Sequence, residues 1–109
     1  SSDLARLRMA LVHLGYYQHR ILEDVPSEDV RTAEIILEDV FEQSGRLSER
    51  SEVYCTYGRS LLAYRTGNLN QATKLEHKVR QKCKRHEIGF EIQQLDMLRT
   101  LIQGGSERV

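Results

Sequence analysis

The stretch Leu62-Ala63-Tyr64-Arg65-Thr66-Gly67-Asn68-Leu69-Asn70-Gln71-Ala72 holds the end of one helix, a tight turn and the start of the next. Gly67 supplies the left-handed residue that closes a helix, and Asn68 with Gln71 three positions on has the spacing of a capping box. Upstream, Val53, Tyr54, Tyr57, Leu61, Leu62 and Tyr64 are the apolar positions of the helix that ends here, with Ser48 as its expected N-cap. Downstream, Leu69, Ala72, Leu75, Val79 and Cys83 form a narrow apolar stripe on the following helix. A connection this short makes the two helices an antiparallel pair.

The same logic extends outward in both directions. Leu4, Leu7, Leu11, Leu14 and Ile21 recur at helical steps, with a break expected at Gly15. Pro26 interrupts, Ser27 is the expected cap of the next helix, and Glu28 and Asp29 suit its positive dipole end. That second helix is expected to bury Val30, Ala33, Ile36, Leu37, Val40 and Phe41 and to stop near Ser44-Gly45. After a break near residues 86–89 a fifth helix carries Ile88, Ile92, Leu95, Leu98, Leu101 and Ile102, closed by Gly104-Gly105. The expectation is an all-α domain over residues 1–105, about five helices in antiparallel hairpins forming a right-handed stack, with 106–109 as a frayed tail.

Composition narrows the function classes. In 109 residues, 16 Lys plus Arg balance 16 Asp plus Glu, so the net charge is zero, and 39% of residues are apolar. No apolar run approaches the roughly 20 residues of a membrane span, and the opening Ser1-Ser2-Asp3 leads into a charged stretch unlike a signal peptide. Cys55 and Cys83 alone do not make a disulfide scaffold, which points to a reducing, cytoplasmic setting. The charge is unevenly placed. Leu22 to Glu52 holds ten acids and three bases, whereas Val53 to His86 holds eight bases and one acid.

Catalytic and metal signatures are weak. Glycine-rich phosphate loops, serine elbows and His-Glu-x-x-His pairs do not occur. His77 and Cys83 are six residues apart on one helix and point in different directions, so the Cys83 and His86 pair does not become a tetrahedral site. Glu34, Glu38 and Glu42 run along one helix face without the histidines that di-iron chemistry needs. The expectation is a non-enzyme without cofactor or metal.

Two binding surfaces remain. Tyr57, Leu61 and Tyr64 share one face of the third helix, either packing on its neighbours or lining a groove that takes a partner peptide or helix. Lys74, Lys78, Lys82 and Arg85 crowd the fourth helix, as a solvated face or as an alternative anion site for RNA or acidic lipid. Neutral charge overall and the lack of interleaved aromatics make nucleic acid the weaker partner. A third reading is a structural slice of a longer helical solenoid.

The Leu62–Ala72 segment resembles the turn of a tetratricopeptide hairpin, with the turn glycine and an alanine five residues later. Ala10-Leu11-Val12-His13, the Val30 to Glu38 helix and the tyrosine-rich helix before Gly67 together resemble the cytosolic domain of the mitochondrial fission adaptor family. That resemblance implies two tetratricopeptide-like hairpins, a C-terminal anchor following this chain, a position facing the cytosol on the outer mitochondrial membrane, and recruitment of protein partners. The residues it implies for binding are His13, Tyr17, Tyr57, Leu61 and Tyr64.

Overall fold

A computed structural model describes residues 2–16, 21–43, 45–86 and 92–107 of the chain, and Ile88 lies outside the described residues. Over these residues the protein is all-α, with α1 at Ser2–His13, α2 at Ser27–Gln43, α3 at Glu49–Arg65, α4 at Leu69–His86 and α5 at Ile92–Glu107.

Local chemistry sets most of these boundaries. At the end of α3, the Gly67 N–H bonds to Tyr64 O at 3.1 Å and the Asn68 N–H bonds to Ala63 O at 2.8 Å. This paired closure requires a left-handed residue, and Gly67 has φ +84°. The same closure recurs at α1, where Gly15 (φ +83°) bonds to Val12 O and Tyr16 bonds to Leu11 O. The break expected at Gly15 is therefore real, and Ile21 reaches the core from the connection rather than from a helix. Ser48 caps α3 by accepting from the Ser51 N–H at 3.2 Å, and the Asn68 side chain accepts from the Gln71 N–H at 3.2 Å.

Two boundaries differ from expectation. Ser27 is the first helical residue of α2 rather than its cap; Pro26 stands before it, its carbonyl accepting from Asp29 and Val30. Helix α5 runs through Gly104 and Gly105 to Glu107, because neither glycine there adopts the left-handed conformation that would stop it.

The core is one cluster drawn from all five helices, including Leu7, Leu11, Leu37, Val40, Tyr57, Leu61, Val79 and Leu98. Helix α3 is its centre. It packs against α1, α2, α4 and α5, whereas α2 and α4 have no backbone approach to one another among the described residues. Being covered from several sides, α3 buries Val53, Cys55, Thr56, Tyr57, Gly58, Ser60, Leu61 and Ala63. Its buried hydroxyls are satisfied, Thr56 donating to Glu52 O at 2.8 Å and Ser60 to Ala72 O on α4 at 2.7 Å.

Arginine and carboxylate pairs tie the periphery to this centre. Arg6 of α1 pairs with Asp39 of α2, and His13 Nδ1 lies 2.8 Å from Asp29 Oδ1. At the end of α3, Arg65 donates to three main-chain carbonyls: Glu23 O at 2.6 Å, Ile21 O at 2.7 Å and Leu14 O at 3.2 Å. Burial pulls its pKa below the ordinary guanidinium value, against the attraction of nearby groups such as Asp24. No helix of the described residues is long and apolar enough to cross a membrane.

Candidate functional site

The tyrosine face does not form an open groove. Tyr57 and Leu61 are both 0% exposed. The Tyr57 ring meets Tyr16 edge-on, with centroids 5.3 Å apart and planes at 75°. Both side chains are therefore core, held there because α3 is covered by α1 as well as α2. Tyr64 is half-buried and lines an open cleft of ≈ 400 Å³ with Val25, Val30 and Leu69, its ring 5.7 Å from the Arg65 guanidinium. His13 joins α1 to Asp29 and does not line the Tyr64 cleft. Tyr17 lies outside the described residues.

The accessible concavity lies on another face of α3, between α2 and α4. Two adjoining clefts run along it. One, of ≈ 660 Å³, is lined by Arg46 and Leu47 from the connection, Cys55 and Arg59 from α3, and Lys78 and Arg85 from α4, with Lys82 and Glu52 also at its wall. The other, of ≈ 250 Å³, has Glu34, Glu38 and Glu42 along its α2 wall and Leu62, Ala63 and Leu75 in its floor. Phe41 and Arg59 border both clefts, so the two form one groove with a shared middle.

That middle has a defined geometry. Phe41 is 54% exposed, and the Arg59 guanidinium carbon sits 4.0 Å from its ring centroid. This is close enough for a cation–π contact, which holds both side chains in place over the floor. The sequence pattern assigned Phe41 to the core. Helix α2 buries Ala33, Leu37 and Val40 instead, and Phe41 falls one step of about 100° past that stripe.

Three of the four basic residues singled out on α4, Lys78, Lys82 and Arg85, do converge on one cleft; Lys74 does not border it. Two further arginines, Arg46 and Arg59, join them from outside α4. Lys82 is neutralised locally by Glu52, whereas Arg46, Lys78 and Arg85 have no ion pair among the described residues. The acidic α2 does not neutralise the basic α4: Glu34, Glu38 and Glu42 have no ion pair among the described residues either.

Chemically the groove offers hydrogen-bond donors and charge of both signs. Its cysteine is buried, and desolvation pushes the Cys55 thiol pKa up, partly offset by Arg59. Cys83 is partly exposed, and burial raises its pKa too. Among the described residues no three His, Cys, Asp or Glu side chains gather as a metal-binding group.

Sequence reasoning also missed Glu76. Its carboxylate is 2% exposed beneath α5 and accepts from Arg80 and Arg99. Burial depresses the Arg80 pKa, but its hydrogen bonds to the Glu76 and Asp96 carboxylates and their charge outweigh it and leave that pKa raised. A lone acid between Leu75 and Val79 gives no local signal of this role, because Arg99 lies 23 residues away. No protein-family model, curated protein or solved structure matches this chain.

Proposed function

We propose that this chain is a non-catalytic interaction module that takes a polypeptide segment of a partner protein in the groove between α2 and α4. The observation that carries this reading is Phe41, a large apolar ring left half-exposed at the junction of two continuous clefts. A phenylalanine side chain covers roughly 200 Å², so burying its exposed half stabilises a complex by about 2–3 kcal/mol. That is one and a half to two decades in affinity, the scale expected of an interface anchor. An adaptor role at a membrane-fission site, as the fission-family resemblance implies, is one setting for such a module, and the groove reading does not depend on it.

The test is selection of a random peptide library on the immobilised chain, followed by amide chemical-shift mapping of the binders. Shifts along α2, α3 and α4, with affinity falling at least tenfold in Phe41→Ala, support the groove. Binders that map to another face and ignore Phe41→Ala overturn it.

A second reading, anion binding to RNA or acidic lipid, is favoured by the convergence of Lys78, Lys82 and Arg85 with Arg46 and Arg59. It predicts affinity that falls steeply with salt. The acidic wall at the other end of the groove argues against it, because Glu34, Glu38 and Glu42 would repel any polyanion long enough to follow the groove.

A further inference from the structure

We infer that the groove selects a bipolar partner segment, acidic at one end and basic at the other with apolar residues between, and fixes its direction of docking. The inference rests on the interaction-module reading and names the chemistry of its ligand. Three observations carry it.

The first is the separation of charge along a single axis. Following α3 from Glu52 to Thr66, the groove passes from Arg46, Lys78 and Arg85 to Glu34, Glu38 and Glu42. Glu52 to the C-cap Thr66 spans about 21 Å at helical rise, matching a helix of about 14 residues or an extended segment of six or seven.

The second is that this charge is not consumed inside the molecule. Helices α2 and α4 flank the groove without backbone contact, and none of these six side chains has an ion pair among the described residues. Opposite charges held apart across a cleft are complementary to a ligand that carries the reverse pattern. A uniformly charged segment gains attraction at one end and meets repulsion at the other.

The third is the middle. Phe41 is 54% exposed, and its stacking partner Arg59 stands where the two clefts join, so the centre of the segment must cover an apolar ring rather than present charge to it. Acidic residues of the partner then lie over the α4 end and basic residues over the α2 end.

The test uses the full chain and fluorescein-labelled 14-residue peptides of one composition: a block peptide with four glutamates, six apolar residues and four lysines in that order, and an isomer with its charges alternating. In low salt, anisotropy should show the block peptide binding at least tenfold more tightly than its isomer. Charge reversal at either end, Glu34→Lys with Glu38→Lys or Lys78→Glu with Arg85→Glu, should weaken it at least tenfold. Combining all four substitutions with Arg46→Glu and Glu42→Lys should restore binding, because the inverted groove accepts the same peptide turned around. Equal affinity for block and alternating peptides, or failure of the six-fold variant to recover while circular dichroism stays helical, overturns the bipolar assignment. Absence of block-peptide binding up to millimolar concentration overturns it as well. Shift mapping keeps the two conclusions apart: perturbations in the groove without dependence on charge order overturn only bipolarity, whereas perturbations on another face overturn the groove itself.

Discussion

Arg99 of α5 holds Glu76 of α4 through two hydrogen bonds, Nε to Oε1 at 3.0 Å and Nη2 to Oε2 at 3.2 Å, and Arg80 approaches the same carboxylate from one helical turn away. The three groups are not equivalent. The Glu76 side chain is 2% exposed, whereas those of Arg80 and Arg99 are 21% and 40% exposed. An arginine released from this network can rotate into water; the carboxylate cannot. Arg99→Met should therefore destabilise the fold by about 1–3 kcal/mol, and Glu76→Met by less than about 1 kcal/mol. Urea unfolding of both variants gives the order, and a larger loss for Glu76→Met would contradict it.

Tyr57 and Phe41 should separate stability from binding. Tyr57 is fully buried against Tyr16, so Tyr57→Ala should cost about 3–5 kcal/mol and show in thermal melting before any binding assay is meaningful. Phe41→Ala removes a half-exposed ring and should change stability by less than about 1 kcal/mol while weakening groove ligands. A large thermal shift for Phe41→Ala would mean that the ring is structural.

Gly58 lets α3 approach its neighbours. A Cβ placed there would lie 2.9 Å from Leu37 Cδ2 and 3.5 Å from Leu11 Cδ2, and both leucines are fully buried. Gly58→Val should lose about 1–3 kcal/mol by overpacking, despite replacing a mid-helix glycine. Chemical denaturation with an unchanged or higher midpoint would show that the leucines yield freely.

Arg65 fastens the chain between α1 and α2 by its three carbonyl contacts. In Arg65→Met those oxygens lose a charged donor, and a glutamate-specific protease should cut after Glu23 several-fold faster than in the parent protein. Arg65→Lys should recover little of the protection, because one ammonium does not reproduce a planar fork bonded at two nitrogens. Equal cleavage of all three proteins would remove Arg65 from this role.

The two thiols should differ in reactivity. Cys83 is partly exposed and Cys55 is buried, so a disulfide reagent near pH 8 should modify Cys83 first and Cys55 only on opening of the fold. Because burial raises the folded-state pKa of Cys55, its contribution to stability is complete below the ordinary thiol pKa. It is lost as pH rises from that value through the raised one. Mass spectrometry after partial labelling reads the order directly.

What the sequence discloses depends on the range of the interaction. The α3–α4 turn is legible because Gly67, Asn68 and Gln71 act within a few residues of one another, and so is the Ser48 cap. Phe41 is misread because periodicity gives the direction of an apolar face but not its width; Val40 and Phe41 differ by one step, and only the seating of α3 decides between them. Of the residues read onto one face of α3, Tyr57 and Leu61 turn inward because α1 covers that part of the helix, whereas Tyr64 stays half-buried in a separate cleft. The basic cluster is visible as composition, whereas its union with Arg46 and Arg59 depends on how α2, α3 and α4 meet.

The central position of α3 also dictates when the protein can first become stable during synthesis. Helices α1 and α2 pack on one another, but Leu11 and Leu37 also meet α3 at Gly58, and Ser60 of α3 donates in turn to the carbonyl of Ala72 on α4. A chain emerging from its N-terminal end therefore completes the packing around α3 only when α4 has followed it. Until then the side of α3 that α4 covers stays open to solvent.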